Sequence, residues 1–146
     1  MPLVKKYFTA AVGLGTEHDN RIPLNTYNLT RYNFISGETI DKEYEGETVS
    51  VYAYKSLDEL KSYVDIALIN GGWIIFMSHL RNDGSYYFDE EVKSLIIDLC
   101  KYAVEKGMLI QTFGEAFQRY KNVLENGTLN SSSYYITDCN GVVRYK

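Results

Sequence analysis

His79 is the residue best placed to do chemistry. It follows the apolar run Trp73-Ile-Ile-Phe-Met77 with only Ser78 between. Such a run has the length and composition of a strand buried on both faces. In parallel α/β folds, ligands bind beyond the carboxyl ends of the strands. Ser78, His79, Arg81, Asn82 and Asp83 are therefore the first residues to inspect. Imidazoles titrate near neutral pH, so one at such a mouth can protonate a leaving group. A half-buried histidine bonded to a loop carbonyl is the other role open to it. Past a second apolar run, Met108-Leu-Ile-Gln-Thr112, the corresponding residues are Gln111 and Thr112. The remaining histidine, His18, sits in Glu17-His-Asp19, and neither His-x-x-x-His nor His-Glu-x-x-His spacing accompanies it. Those three residues read as a solvated loop, and no metal site is expected. Gly13-Leu-Gly15 lacks the third glycine of a dinucleotide fingerprint. Neither a nucleophile elbow nor a P-loop is present.

The elements that must position these groups are clearest in the middle of the chain. Ser56-Leu-Asp-Glu59 predicts a capping box, the Ser56 hydroxyl accepting from the Glu59 amide and the Glu59 side chain reaching back. Leu57, Leu60, Val64, Ala67 and Leu68 follow at helical spacing, and Asn70-Gly-Gly72 stops the helix. The strand Trp73–Met77 and a polar loop, Ser78 to Phe88, come next. Asp89 caps a second helix with Val92, Leu95, Ile96, Leu99, Ala103 and Val104 on one face, and Gly107 fits its C′ position. A strand over Met108–Thr112 and a short helix over Gly114–Tyr120 complete a βα rhythm of parallel units. Upstream, Val4–Val12 and Val49–Tyr54 read as further strands. Between them lies a long excursion, Gly13 to Glu47, with a short strand within Tyr27–Phe34; loops of that length usually carry function or structure of their own. Glu125-Asn-Gly-Thr-Leu-Asn-Ser-Ser-Ser reads as a polar connector, which divides the chain into 1–124 and 125–146. Beyond it, Ser133–Thr137 and Val142–Tyr145 flank Asp138-Cys-Asn-Gly141, the signature of a hairpin.

Bulk composition narrows the classes. The 146 residues fit one domain, 45% hydrophobic and 23% charged, with no apolar run long enough for a membrane span. A net charge of −4 argues against a nucleic-acid partner. The opening residues lack the basic, apolar and small-residue order of a signal peptide, which leaves the compartment open. Two cysteines, Cys100 and Cys139, are too few for a disulfide framework or a multi-cysteine zinc site, and Cys100 reads as a core hydrophobe. Tyrosine is over-represented, with 14 residues. It suits sugar-binding and protein-binding surfaces, and equally fills strand and core positions.

One stretch carries a resemblance. Asp65-Ile-Ala-Leu-Ile-Asn-Gly-Gly-Trp-Ile-Ile-Phe-Met-Ser-His79 resembles the segment that brings the late catalytic histidine to the barrel mouth in polysaccharide deacetylases. Tyr87-Phe-Asp-Glu-Glu91 through Lys106-Gly-Met-Leu-Ile-Gln-Thr-Phe-Gly-Glu-Ala-Phe117 is similar to that family's closing helix, strand and helix. Tyr7–Ala11 and Asn25-x-Tyr27-x-Leu29-x-Arg31 are more loosely similar to the segment before. The resemblance implies a metal-dependent hydrolase that removes acetyl groups from glycans, with an Asp-Asp pair and two histidines holding a divalent metal and supplying the base. Only His79, the general acid, transfers to this chain. Ser78, Arg81, Asp83, Tyr86 and Trp73 are the glycan contacts that go with it. The Asp-Asp and His-x-x-x-His motifs have no counterpart, and Phe8 and Thr9 stand where the family has a mid-domain arginine.

An acid without a base or an activated water does not hydrolyse. The resemblance therefore implies a partial (β/α) barrel of parallel strands with outer helices, plus the C-terminal hairpin, that binds cell-surface polysaccharide. One alternative is the C-terminal piece of an active deacetylase, taking a zinc-like metal only when another chain completes it. The Tyr-rich tail with Asp138-Cys-Asn-Gly-Val142 loosely resembles terminal modules of phage tail and baseplate proteins, which implies a second alternative, a structural component of that kind, in the virion or the cytoplasm. Open strand edges at Val4–Val12 and Met108–Thr112 predict a homo-oligomer or a companion chain.

Overall fold

The computed structural model describes residues 2–13, 17–21, 26–79, 85–125, 135–137 and 143–145. Along the chain run α1 (Pro2–Tyr7), β1 (Tyr32–Asn33), β2 (Ile35–Tyr44), β3 (Glu47–Tyr54), α2 (Leu57–Asn70), β4 (Phe76–Met77), α3 (Glu90–Glu105), α4 (Phe113–Glu125), β5 (Tyr135–Thr137) and β6 (Val143–Tyr145). The protein is thus of mixed α/β class.

Helices α2 and α3 follow from their local sequence. Ser56 accepts the Glu59 amide at 3.2 Å, although the Glu59 carboxylate takes the Tyr63 hydroxyl at 2.6 Å instead of reaching back. Gly71, at φ 64°, ends α2 in the left-handed conformation and returns its amide to the last turn. Asp89 accepts the Val92 amide at 3.0 Å, and Gly107 (φ 83°) follows the end of α3. The apolar stripes of the two helices meet over β1 and β4. Phe34, Leu60, Val64, Leu99 and Ala103 form the core there, with Ile74, Phe76 and Met108 packed against it.

Parallel pairing is narrower than the sequence predicts. β1 and β4 pair parallel, Tyr32 opposite Phe76 and Asn33 opposite Met77. Val12 adds a parallel bridge to Leu29. Leu29 bonds toward Val12 and Tyr32 toward β4. Alternation of backbone groups along a strand therefore sets 29–33 between the two. Most of the expected strand Val4–Val12 is instead α1 and the turn after it. Pro2 at the first helical position and Lys5 and Lys6 in the last turn favour that helix.

Val49–Tyr54 is a strand, but an antiparallel one. As part of β3 it pairs in a long hairpin with β2, which lies inside the region read as an excursion. Glu45 (φ 51°) and Gly46 (φ 86°) form its two-residue turn, both left-handed as a tight primed turn requires. Met108–Thr112 is not a strand among the described residues. Thr112 instead opens α4 with a reciprocal capping box: its amide donates to the Glu115 carboxylate at 2.9 Å, and the Glu115 amide returns to its hydroxyl at 3.4 Å. β5 and β6 pair antiparallel and β6 lies against α2, while the turn between them lies outside the described residues. The described strands make one parallel pair and two hairpins and close no barrel.

Candidate functional site

His79 stands just past the carboxyl end of β4. Its ring centroid lies 4.0 Å from that of Tyr86, and Tyr86 lies 5.2 Å from Tyr52 on β3. The hairpin is fastened to this loop by Tyr52 N–H donating to the Ser85 carbonyl at 2.9 Å and by Lys42 paired with Asp89. Tyr44 meets Tyr87 edge-on at 4.5 Å. Beneath the hairpin is a cavity of about 290 Å³ whose lining includes Tyr52, Tyr54, Tyr87, Lys42, Lys55 and Glu91. Burial, aided by the Asp89 charge, raises the Tyr54 phenol above its ordinary pKa, so it remains a donor. Its hydroxyl donates to the Tyr87 carbonyl at 3.1 Å. Ser78 lies beside Tyr54 and offsets part of that rise. Its own hydroxyl is buried and meets no partner in hydrogen-bond geometry among the described residues.

Of the residues the sequence singles out, His79 and Tyr86 come together, and Ser78 adjoins them on its Tyr54 side. Trp73 does not join them. It lies at the other end of the 73–77 segment, where its backbone pairs with Asn20 and its ring lies 5.3 Å from Phe113. Arg81 and Asp83 lie outside the described residues. Tyr52, Tyr54 and Tyr87 are additions that become visible only once the hairpin is recognised.

A second polar cluster corrects the reading of Glu17-His-Asp19 as a solvated loop: His18 is exposed, but Glu17 is half-buried and Asp19 buried. Asp19 is only 2% exposed, and Arg21 grips it through two bonds of 2.9 and 3.0 Å. A Cβ on Gly72 would come within 2.1 Å of the Asp19 carboxylate, so glycine is required there. Asn20 spans the gap between 29–33 and 73–77. Its amide donates to the carbonyls of Thr30 and Trp73 and accepts the Thr30 N–H. Glu17 accepts the Asn33 N–H at 2.8 Å and the Lys55 ammonium at 2.6 Å. These side chains take backbone groups that a neighbouring strand would otherwise satisfy. Burial raises the Glu17 pKa, but Lys55 and the Asn33 N–H outweigh it and hold the carboxyl below its usual range. Burial likewise pulls Lys55 down, and Glu17 and Tyr63 together lift it above an ordinary lysine.

The divalent metal that the resemblance implies finds no fitting donor set among the described residues. The His79 ring lies against Tyr86, the His18 Nδ1–H is bonded to the Asp19 carbonyl at 2.8 Å, and Asp19 is held by Arg21. Among the described residues no three His, Cys, Asp or Glu side chains converge. None of the helices searched among those residues is long and apolar enough to cross a membrane. Comparison with protein-family models, curated proteins and solved structures finds no match to this chain.

Proposed function

We propose that this chain is a polysaccharide deacetylase-like module that binds cell-surface glycan at the carboxyl end of the β1–β4 pair and does not hydrolyse it alone. The observation that carries the reading is the tyrosine-lined cavity under the β2–β3 hairpin, beside the His79–Tyr86–Tyr52 ring series. Its volume of about 290 Å³ suits a sugar residue or two. Tyrosine supplies a flat apolar face for a pyranose ring and a hydroxyl for its substituents. Lys42 and Glu91 add charged hydrogen-bonding groups to the same lining. The parallel order of Val12, 29–33 and 73–77 corresponds, within this proposal, to neighbouring staves of a partial barrel.

His79 is the proton donor in this scheme, and the chain carries neither motif that would supply the metal and the base. Titration with acetylated chitooligosaccharides, followed by NMR, tests the reading. Saturable binding is expected, weakened about tenfold in Tyr52→Ala and His79→Ala, with no acetate released whether or not divalent metal is added. Absence of binding removes the proposal. Acetate release that a chelator and His79→Ala both abolish replaces it with an active hydrolase.

A further inference from the structure

Met108–Thr112 is apolar in sequence yet open in the structure. Leu109 is 55% exposed, Ile110 56% and the neighbouring Phe113 40%. Behind the segment lies a cavity of about 340 Å³, apolar and half-open, lined by Trp73, Phe76, Leu99, Met108, Ile110 and Ala116 among others. It does not reach His79. The Met108 N–H is held by the Ala103 carbonyl and the Thr112 N–H by Glu115. The amides of Leu109, Ile110 and Gln111 between them have no backbone partner among the described residues.

A second solvent-facing region supplies the contrast. The β2–β3 hairpin also projects into solvent, but Glu38, Asp41, Lys42, Glu43, Glu45 and Glu47 stud it with charge, the usual protection against edge-to-edge pairing. Gly107–Gly114 holds neither a charged residue nor a proline. Charge returns immediately outside the segment, as Lys106 at its amino end and Glu115 beyond its carboxyl end. A copy laid antiparallel brings Lys106 of each chain toward Glu115 of the other, whereas a parallel copy sets like against like. The uncharged stretch between is self-complementary, as an isologous two-fold contact requires.

We propose that Met108–Thr112 is a dimer seam, on which a second copy of this chain docks antiparallel with Ile110 near the two-fold axis and apolar side chains turned toward the open cavity. The cavity behind the seam shares no lining residue with the cavity under the hairpin, and the seam stands or falls independently of the glycan site. Sedimentation of the full chain at micromolar concentration is expected to give twice its 16.8 kDa. Ile110→Lys buries an ammonium at the axis and weakens association by about a hundredfold or more, while an unchanged far-UV spectrum shows that the chain still folds. In a background with Cys100 and Cys139 replaced by serine, Ile110→Cys cross-links to its own copy on oxidation. Ile97→Cys, equally exposed on α3, does not. A folded monomer across the concentration range, a dimer that survives Ile110→Lys, or cross-linking no stronger at 110 than at 97 overturns the seam.

Discussion

Ser56 caps α2 through an amide three residues away, and Asp89 caps α3 over the same distance. Asn20 works differently, bonding Thr30 at a separation of 10 residues and Trp73 at 53. Glu17 reaches 38 residues to Lys55. The two parts of the molecule are thus stabilised by different physics. From Ser56 to Glu125, order comes from capping, helical apolar stripes and a shared core. From Pro2 to Lys55 it comes from the β2–β3 ladder and from polar side chains, Glu17 and Asn20, that take backbone groups a strand neighbour would otherwise satisfy. A buried polar contact is costly to leave half-made, so the amino-terminal part is the more sensitive to single substitutions despite its smaller apolar core.

The joint between the parts provides the sharpest test. Gly72→Ala drives a methyl into the Asp19 carboxylate and is expected to cost about 3 kcal/mol in urea unfolding. Gly114→Ala, with nothing within 4 Å of the added carbon, is the control and changes stability by about 0.5 kcal/mol or less. Equal losses at the two glycines would erase the distinction drawn between the regions.

Lys55→Ala comes next. It leaves the Glu17 carboxylate part-buried without its cation and is expected to cost about 2 kcal/mol at neutral pH. The pair also fixes the form of the pH dependence. Because the Glu17 pKa is depressed on folding, its contribution is full above the unfolded carboxyl's pKa and is lost as pH falls through the lower folded value. Lys55, raised on folding, contributes fully below its unfolded pKa and loses that contribution as pH rises through the folded one. Stability against pH in the wild type and Lys55→Ala should therefore converge at both extremes. Curves that remain parallel would mean the ion pair contributes nothing.

The smallest effect belongs to the local part. Thr112→Ala removes one half of the α4 capping box at the cost of about 1 kcal/mol, read as a lowered melting temperature. A loss as large as that of Gly72→Ala would show that α4 also depends on distant contacts.

What could be read in advance follows the same division. Ser56, Asp89, Gly71 and Gly107 announce helix ends through chemistry confined to a few residues, and the structure places those ends accordingly. Thr112-Phe-Gly-Glu115 carried an equally local signal, but the apolar run before it favoured a strand and hid the cap. The β2–β3 hairpin was obscured for two reasons. Its turn is Glu45-Gly46 where asparagine is the usual marker, and the register shift between Ile35 and Thr39 interrupts alternation beside Gly37, at φ 92°. With the hairpin unseen, Tyr52, Tyr54 and Tyr87 could not be grouped with His79. The roles of Glu17, Asp19 and Asn20 depend on Lys55, Gly72 and Trp73, and no local pattern links them.

At the base of the hairpin the Lys55 N–H meets the Phe34 carbonyl at 2.7 Å, and this has a consequence for the order of folding. β1 must find β4 across the whole stretch from Tyr32 to Phe76, a slow and non-local closure. A hairpin forms within about 1–10 μs, and once its base is joined the chain takes a short cut from Phe34 to Lys55. The loop left to close is then roughly halved, which lowers its entropic cost by about 0.6 kcal/mol. Weakening the turn with Gly46→Val should therefore slow refolding more than it speeds unfolding, as stopped-flow measurements on the two limbs would show. The hairpin is in this sense a kinetic splint, drawing the two parallel strands into reach before they pair.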